Sequence, residues 1–319
     1  MKILIIRLSS LGDIVLTEPV IGNLTNLYPQ SEIFYLVKPA FADVIKGFPE
    51  SVKIIAWHND LRSLLQLSRY KFDLVIDLHN KPNTALIRLF CRGKKKVVYD
   101  KHHHLRRLIV AHKTKEVISS TVELYFSALR KLNLTPEITE PRLLAKSNQN
   151  LIKHDNYIII FPGATSFTKR WLSSSFAELA DLLAGKFQIV IGGSSSEIDI
   201  CRKIEKNCQA EVINLCGKTS ISELISLISY AKGVIANDSG PAHLTAALNI
   251  PLVAVFGGTS PKLGFAPMGK KVSIVTKNLD CSPCSLHGLD ACPQGHFNCM
   301  KRIKVEEIKT VFLKTIKPR

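Results

Sequence analysis

The chain has 319 residues, 46% of them hydrophobic, and carries 43 Lys and Arg against 26 Asp and Glu, a formal net charge of +17. Its length points to two domains, its apolar content excludes intrinsic disorder, and no apolar run approaches the roughly 20 residues that span a bilayer. A positive field of this size attracts polyanions, whether nucleic acid, a phospholipid surface or a phosphorylated glycan.

The start, Met1 to Arg7, turns polar too soon for a signal peptide and reads as a first strand, so a cytoplasmic protein is expected. In the first half, strands are expected at 3–6, 33–37, 53–56, 74–78 and 97–99, with helical patterns at 14–27, 61–68, 84–90 and 119–132. A polar, Pro-containing passage at 135–155 has no clear period and is the linker candidate. In the second half, strands are expected at 157–161, 188–192, 212–215, 233–236 and 252–256. Helices are expected at 173–183, 197–207, 221–229 and 242–248. A last helix at 305–316 has apolar residues at 305, 308, 312 and 316, so one face must be buried. Alternating helices and continuous apolar strands argue for α/β architecture with two Rossmann-like, doubly wound parallel sheets, divided at 1–150 and 151–319. Ligands of such folds bind outside the carboxyl ends of the strands, here in a cleft between the two halves, so the loops that follow strands carry the chemistry.

Three of those loops stand out. After the first strand, Arg7-Leu8-Ser9-Ser10-Leu11-Gly12-Asp13 leads into a helix. Asp13 near a helix N-terminus serves either as a cap or as a carboxylate held ionised by the dipole. After the strand at 157–161 comes Phe161-Pro162-Gly163-Ala164-Thr165-Ser166-Phe167-Thr168-Lys169-Arg170-Trp171. Its small and hydroxyl residues followed by Lys169 suit an anionic ligand, although the spacing is not that of a Walker loop. After the strand at 233–236 comes Asn237-Asp238-Ser239-Gly240-Pro241-Ala242-His243-Leu244, a small-residue turn opening a helix whose free N–H groups suit a phosphate. His243 in its first turn reads either as a phosphate donor or as a core histidine. A weaker loop, Gly192-Gly193-Ser194-Ser195-Ser196-Glu197, ends on an acid that accepts from ribose hydroxyls or merely caps its helix.

Taken together, these loops resemble the ADP-heptose:lipopolysaccharide heptosyltransferases, glycosyltransferase family 9, which have the GT-B fold. The resemblance covers most of the chain. It implies inverting transfer of L-glycero-D-manno-heptose from ADP-heptose to the inner core of lipopolysaccharide. Asp13 falls on the family's proposed general base and Lys169 on the Lys that contacts the donor phosphates or sugar. Thr165, Asp238, Ser239, Gly240 and His243 fall on donor-binding positions, and Glu197 on an acid that holds the ribose. No acidic pair with metal-binding spacing appears at these loops. The diphosphate is therefore expected to be neutralised by N–H groups and Lys169 without Mg²⁺, and catalysis to need no cofactor. Rival readings keep the donor but heptosylate a protein, or use the same architecture for a nucleotide-sugar 2-epimerase, which would need a second acid/base group.

Charge and cysteines complete the reading. The densest basic stretch runs from Arg88 to Lys115, and its three adjacent histidines, His102 to His104, cannot share one face as metal ligands. It contains no recognisable nucleic-acid module, and a charge run is commonly just a solvated surface. On the heptosyltransferase reading, Arg92, Lys94, Lys95, Lys96, Arg106 and Arg107 lie on the N-terminal half and hold an anionic core glycolipid. That places the protein at the cytoplasmic face of the inner membrane as a peripheral enzyme. Of eight cysteines, four crowd into Cys281, Cys284, Cys292 and Cys299. Their spacing suggests a structural thiolate site for zinc, or for iron, with His287 and His296 as alternative ligands. A reduced, metal-free loop is the other reading. The segment is expected to lie away from the strand-end loops.

Overall fold

Short apolar runs become the strands of two wholly parallel sheets in the computed structural model, which describes residues 1–145, 151–152 and 155–317. The first sheet holds β1 (Lys2–Ile6), β2 (Glu32–Val37), β3 (Lys53–Ala56), β4 (Lys71–Asp77) and β5 (Arg92–Val98), in the order β3-β2-β1-β4-β5. The second holds β6 (Tyr157–Phe161), β7 (Gln188–Ile191), β8 (Val212–Asn214), β9 (Gly233–Asn237), β10 (Leu252–Phe256) and β11 (Val272–Thr276), in the order β11-β10-β9-β6-β7-β8. In each sheet the strand order reverses next to the first strand, between β1 and β4 and between β6 and β9. At those two places Ile6 lies opposite Asp77, and Phe161 opposite Ala236. Central strands are buried throughout, as parallel sheets covered on both faces require.

The chain divides into two compact units, Met1–His102 with Ser120–Lys146, and His103–Ser119 with Ser147–Arg319. A boundary at 150 falls on 146–150, outside the described residues. The described part of the expected linker is a strap fastened to the first unit. The Asn23 side chain accepts from the Glu137 and Ile138 N–H groups, and the Leu144 N–H donates to Gly47 O at 2.7 Å. Arg142 pairs with the buried Glu18 at 2.9 Å and with Glu50 at 2.6 Å. Gly22 leaves room for that guanidinium, since a Cβ there would stand 2.9 Å from Arg142 Nη2. Burial, with Glu50 nearby, pushes the Glu18 carboxyl up to about 7 even though Arg142 pulls it down.

Four departures from the expected elements have physical causes. The helix at 14–27 is two helices, Leu11–Val15 and Glu18–Leu27, because Pro19 has no N–H to continue the first and suits the opening turn of the second. β5 starts at Arg92 rather than at 97; on an edge strand its basic side chains meet solvent, so hydropathy conceals it. β11 is an equally half-exposed edge. His103–Val110 is helical and, through His103–Ser119, joins the second unit. There Ile118 bridges to Leu263, and the buried Arg106 lies 4.6 Å over the Phe265 ring. The basic stretch is thus divided between the two units.

In the second unit, Val305–Thr315 buries Val305, Ile308 and Phe312 against the sheet, as its periodicity requires. Among the described residues, no helix is long and apolar enough to cross a membrane.

Candidate active site

Where β6 and β9 part, their following loops are knitted together. Asn237, the last residue of β9, accepts the Trp171 N–H at 3.0 Å and donates to Pro162 O at 2.7 Å. The Asp238 carboxylate is almost wholly buried and accepts from the Thr259 hydroxyl at 2.7 Å. Lys169 pairs with the same oxygen, Oδ2, at 2.9 Å. Arg170 folds back to donate to Ala164 O, bracing the loop that presents Lys169. Ser239 is the N-cap of the helix Gly240–Ala247, and His243 is buried in its first turn. Lys169, Asp238, Ser239, Gly240 and His243 therefore surround one helix N-terminus, an anion-binding arrangement of N–H groups and one cation. Thr165 is exposed on the neighbouring loop.

The Glu197 side chain caps the single 3-10 turn Ser195–Glu197 rather than the helix Ile198–Asn207 that follows: Oε2 accepts from the Ser194 N–H at 2.7 Å and the Ser194 hydroxyl at 2.9 Å. Its other carboxylate oxygen, Oε1, lies against Gly163, where an added Cβ would overlap it. Glycine at 163 is thus what lets the acid reach the loop that carries Lys169.

The cysteine-rich segment is not remote from these loops, as its place in the sequence had suggested. Thr168 and Leu289 exchange hydrogen bonds, and Phe167 stacks on Phe297 at 4.8 Å. The expected metal tetrahedron is not formed. Among the described residues, no three His, Cys, Asp or Glu side chains are gathered to hold a metal ion. Three of the four thiols have other contacts instead. Cys284 donates to Gly258 O, Cys292 accepts the Phe297 N–H, and Cys281 faces His296 at 3.9 Å. Cys299 is buried, and its thiol is pushed up to about 11 by that burial and by the other three.

In the first unit, Arg7 organises the loops that leave β1 and β4. Its guanidinium donates to Ser9 O and Leu78 O, each at 2.7 Å, and pairs with Asp13 Oδ2 at 2.5 Å. Burial opposes its charge, but Asp13 and the Tyr125, Tyr99 and Tyr35 oxygens hold it firmly protonated. Asp13 also accepts from the Ser10 hydroxyl at 2.7 Å and from the Ser10 N–H at 3.3 Å, the latter belonging to a capping box at the start of Leu11–Val15. Capping and partial exposure thus coexist in one carboxylate. Asp77, at the end of β4, accepts from the His79 and Asn80 N–H groups at 2.8 Å and pairs with Arg88. That turn seats His79, which is buried with no hydrogen-bond partner at Nδ1 among the described residues.

The basic residues are not gathered in one place. Arg92, Lys94, Lys95 and Lys96 are exposed on β5, with Lys94 paired to Asp73 at 2.7 Å. Arg107 is exposed and Arg106 buried on a helix of the second unit.

The sequence model for glycosyltransferase family 9 (heptosyltransferase) matches residues 61–289. The chain belongs to that family. Lipooligosaccharide heptosyltransferase 2 of Campylobacter jejuni is 28% identical over 97% of both chains. The structure of Escherichia coli ADP-heptose lipopolysaccharide heptosyltransferase II matches with a TM-score of 0.80 at 24% identity, covering 99% of this chain and 98% of the other. Escherichia coli heptosyltransferase WaaC with ADP matches at 0.74 and 22% identity, covering 99% and 100%. As a family 9 member the protein is a glycosyltransferase of the GT-B fold.

Sequence reasoning passed over Arg7, His79 and Thr259. Arg7 and His79 immediately follow apolar runs, which was the available signal; Thr259 had none. Burial, helped by Arg7, Lys81 and Lys101, pushes the His79 imidazole down to about 3. A histidine depressed from its ordinary value near 6.5 stabilises the fold above that value and loses this contribution as pH falls towards about 3. The His79 ring resonances are therefore expected to keep their neutral shifts from pH 8 to about 5 in an NMR titration, whereas an exposed imidazole titrates near 6.5. A midpoint above 6 would place His79 in water.

Proposed function

We propose that this glycosyltransferase moves heptose from ADP-L-glycero-D-manno-heptose to the inner core of lipopolysaccharide with inversion at the anomeric carbon. The observation that carries the reading is the Lys169–Asp238 pair beside the N-terminus of Gly240–Ala247. An inverting transfer is one in-line displacement. The acceptor oxygen bonds to the anomeric carbon as the carbon–oxygen bond to the diphosphate breaks, and the acceptor proton passes to a base. We assign the base to Asp13, whose direction Arg7 and Ser10 set. Lys169 and the helix N–H groups take the charge that grows on the leaving ADP. Thr165, Ser239, Gly240 and His243 complete the donor site, Asp238 orients Lys169, and Glu197 meets the ribose. The names of the Campylobacter and Escherichia coli relatives support heptose and lipopolysaccharide as donor sugar and acceptor. The first unit supplies the acceptor side and the second the donor side. The exposed cations Arg92, Lys94, Lys95 and Lys96 attract the anionic glycolipid at the cytoplasmic face of the inner membrane. Arg106, buried on Phe265, leaves that set, and Arg107 lies with it in the second unit.

Incubation with ADP-heptose and truncated core glycolipids, followed by mass analysis, tests the reading; an acceptor heavier by one heptose is expected. Unreacted acceptor with every truncation would end it.

Asp13→Asn keeps the size but removes the base and also the charge that answers the buried Arg7, so thermal unfolding must confirm folded protein. Turnover is expected to fall about 10²–10⁴-fold with donor affinity nearly unchanged. Wild-type turnover would make Asp13 a cap alone.

Lys169→Ala removes the cation from the departing diphosphate, and a loss of about 10²–10³-fold in turnover with weaker ADP-heptose binding is expected. It also strands Asp238, so thermal unfolding must confirm folded protein at the assay temperature. Unchanged donor affinity in folded protein would remove Lys169 from the site.

A structural zinc or iron at Cys281, Cys284, Cys292 and Cys299 is supported by their spacing in the sequence alone, since the described side chains are not gathered to hold a metal. About one metal per chain in elemental analysis of protein kept reduced is the expectation under this proposal. Metal-free protein would end it.

A further inference from the structure

Two neighbouring helices of the first unit, Leu61–Ser68 and Pro82–Phe90, pack on the same face of the first sheet. Leu67 and Ile87 are their inward anchors, in one core with Leu36, Ile55 and Val75. The surprise lies on their outward sides. Leu61 and Leu65, one turn apart, are 67% and 54% exposed. Leu86, Leu89 and Phe90, spaced to share a face, are 48%, 78% and 50% exposed. Among the described residues, five of the fifteen exposed large hydrophobic side chains therefore sit on these two short helices. Scattered apolar residues need no explanation, but a contiguous group marks an interaction surface.

The surroundings say what the surface meets. Residues 60–96 contain nine Lys and Arg against three Asp. Asp77 is answered by Arg88 and Asp73 by Lys94, while Asp60 is exposed and caps the first helix by accepting the Ser63 N–H. Arg62 is exposed on the first helix and Arg69 at its C-cap. β5, which leaves the second helix directly, adds exposed Arg92, Lys95 and Lys96 at the sheet edge. An apolar crest beside a predominantly basic rim is the composition of a helix face that lies in a bilayer interface. The apolar side chains enter the acyl boundary while the cations meet anionic headgroups. A water-soluble protein partner would match the crest but leave the rim needing an equally acidic counterpart.

We propose that the outer face of Leu61–Ser68 and Pro82–Phe90 docks by insertion onto an anionic phospholipid bilayer, with Leu65, Leu86, Leu89 and Phe90 as its anchors. This rests on the membrane-surface part of the reading above and names the element that makes the contact. Binding then has two separable parts: a salt-sensitive attraction from the cations and a salt-resistant part from the crest.

Vesicles of phosphatidylethanolamine with phosphatidylglycerol are the probe, with pure phosphatidylcholine as the neutral control. Wild-type protein should sediment with the anionic vesicles and retain part of that binding at high salt. Replacing Leu65→Gln, Leu86→Gln and Leu89→Gln together should weaken partitioning about 100-fold or more. Because these positions are exposed, thermal unfolding and turnover on a soluble truncated acceptor should be unchanged. Phe90→Trp supplies an independent reading, since the native Trp57 and Trp171 are buried. The indole emission of that variant should shift to the blue on adding anionic vesicles. The proposal is overturned if the triple variant binds like wild type, or if high salt removes all binding and the emission of the Phe90→Trp variant stays put. It is equally overturned if sedimentation shows a wild-type dimer that the triple variant dissolves, since a second copy would then cover the face. Failure of heptose transfer by wild-type protein would count against the donor and acceptor assignment and leave the vesicle result standing.

Discussion

The reversal of strand order beside β1 and β6 is the constraint on which both sites depend. Crossover connections between parallel strands run right-handed, so connections leaving the two sides of that strand pass over opposite faces of the sheet. The loops at the reversal are left uncovered, and polar side chains can gather at the carboxyl ends of the strands without displacing core. Asp13 and His79 follow β1 and β4, while Lys169 and Asp238 follow β6 and β9. Each pair is distant in sequence and brought together only because its two strands are neighbours.

The two sites share a second device. Each sets a partly exposed charged group against an opposite charge that is buried more deeply than itself. The Asp13 side chain is 24% exposed and its partner Arg7 9%; Lys169 is 17% exposed and Asp238 4%. The inner member is fixed by a further contact, Arg7 by the Ser9 and Leu78 carbonyls and Asp238 by Thr259. A buried charge is costly unless paired and hydrogen-bonded, so these inner groups do little for stability by themselves. What they supply is direction. A long Lys side chain or a short carboxylate held at one end by a rigid partner has fewer orientations to lose when substrate arrives.

Much of this was legible in the sequence because strand centres and strand-following loops leave local signals. Continuous apolar runs marked the central strands, and small or hydroxyl residues after them marked 163–169 and 237–243. The same rule applied to the residue after the fourth run would have found His79, whose polarity stands out behind Leu78. Of the four edge strands, β3 and β8 were legible, but most of β5 and all of β11 were not, for the opposite reason. β5 begins with Arg92 and carries three lysines, so its pairing with β4 is invisible to hydropathy. The basic stretch 88–115 read as one surface because charge is counted along the chain, whereas packing of Ile118 and Arg106 on 263–265 sends part of it to the other unit. Thr259 was unreadable because its role exists only once β9 and β10 pair.

The cysteines show the same limit more sharply. Ligand spacing is informative because a metal forces thiols to converge, but spacing does not itself force convergence. Here Cys284 follows the backbone that caps β10, with both its N–H and its thiol directed to Gly258 O. Cys292 receives the Phe297 N–H, at a residue with left-handed φ of 52° that turns the chain into Asn298–Lys301. Phe297 in turn stacks on Phe167, two residues from Lys169. The segment is thus held by carbonyls, one amide and an aromatic pair, and those contacts reach the loop that presents Lys169. Whatever further bonds its thiols make, this packing ties the cysteine-rich segment to the position of Lys169.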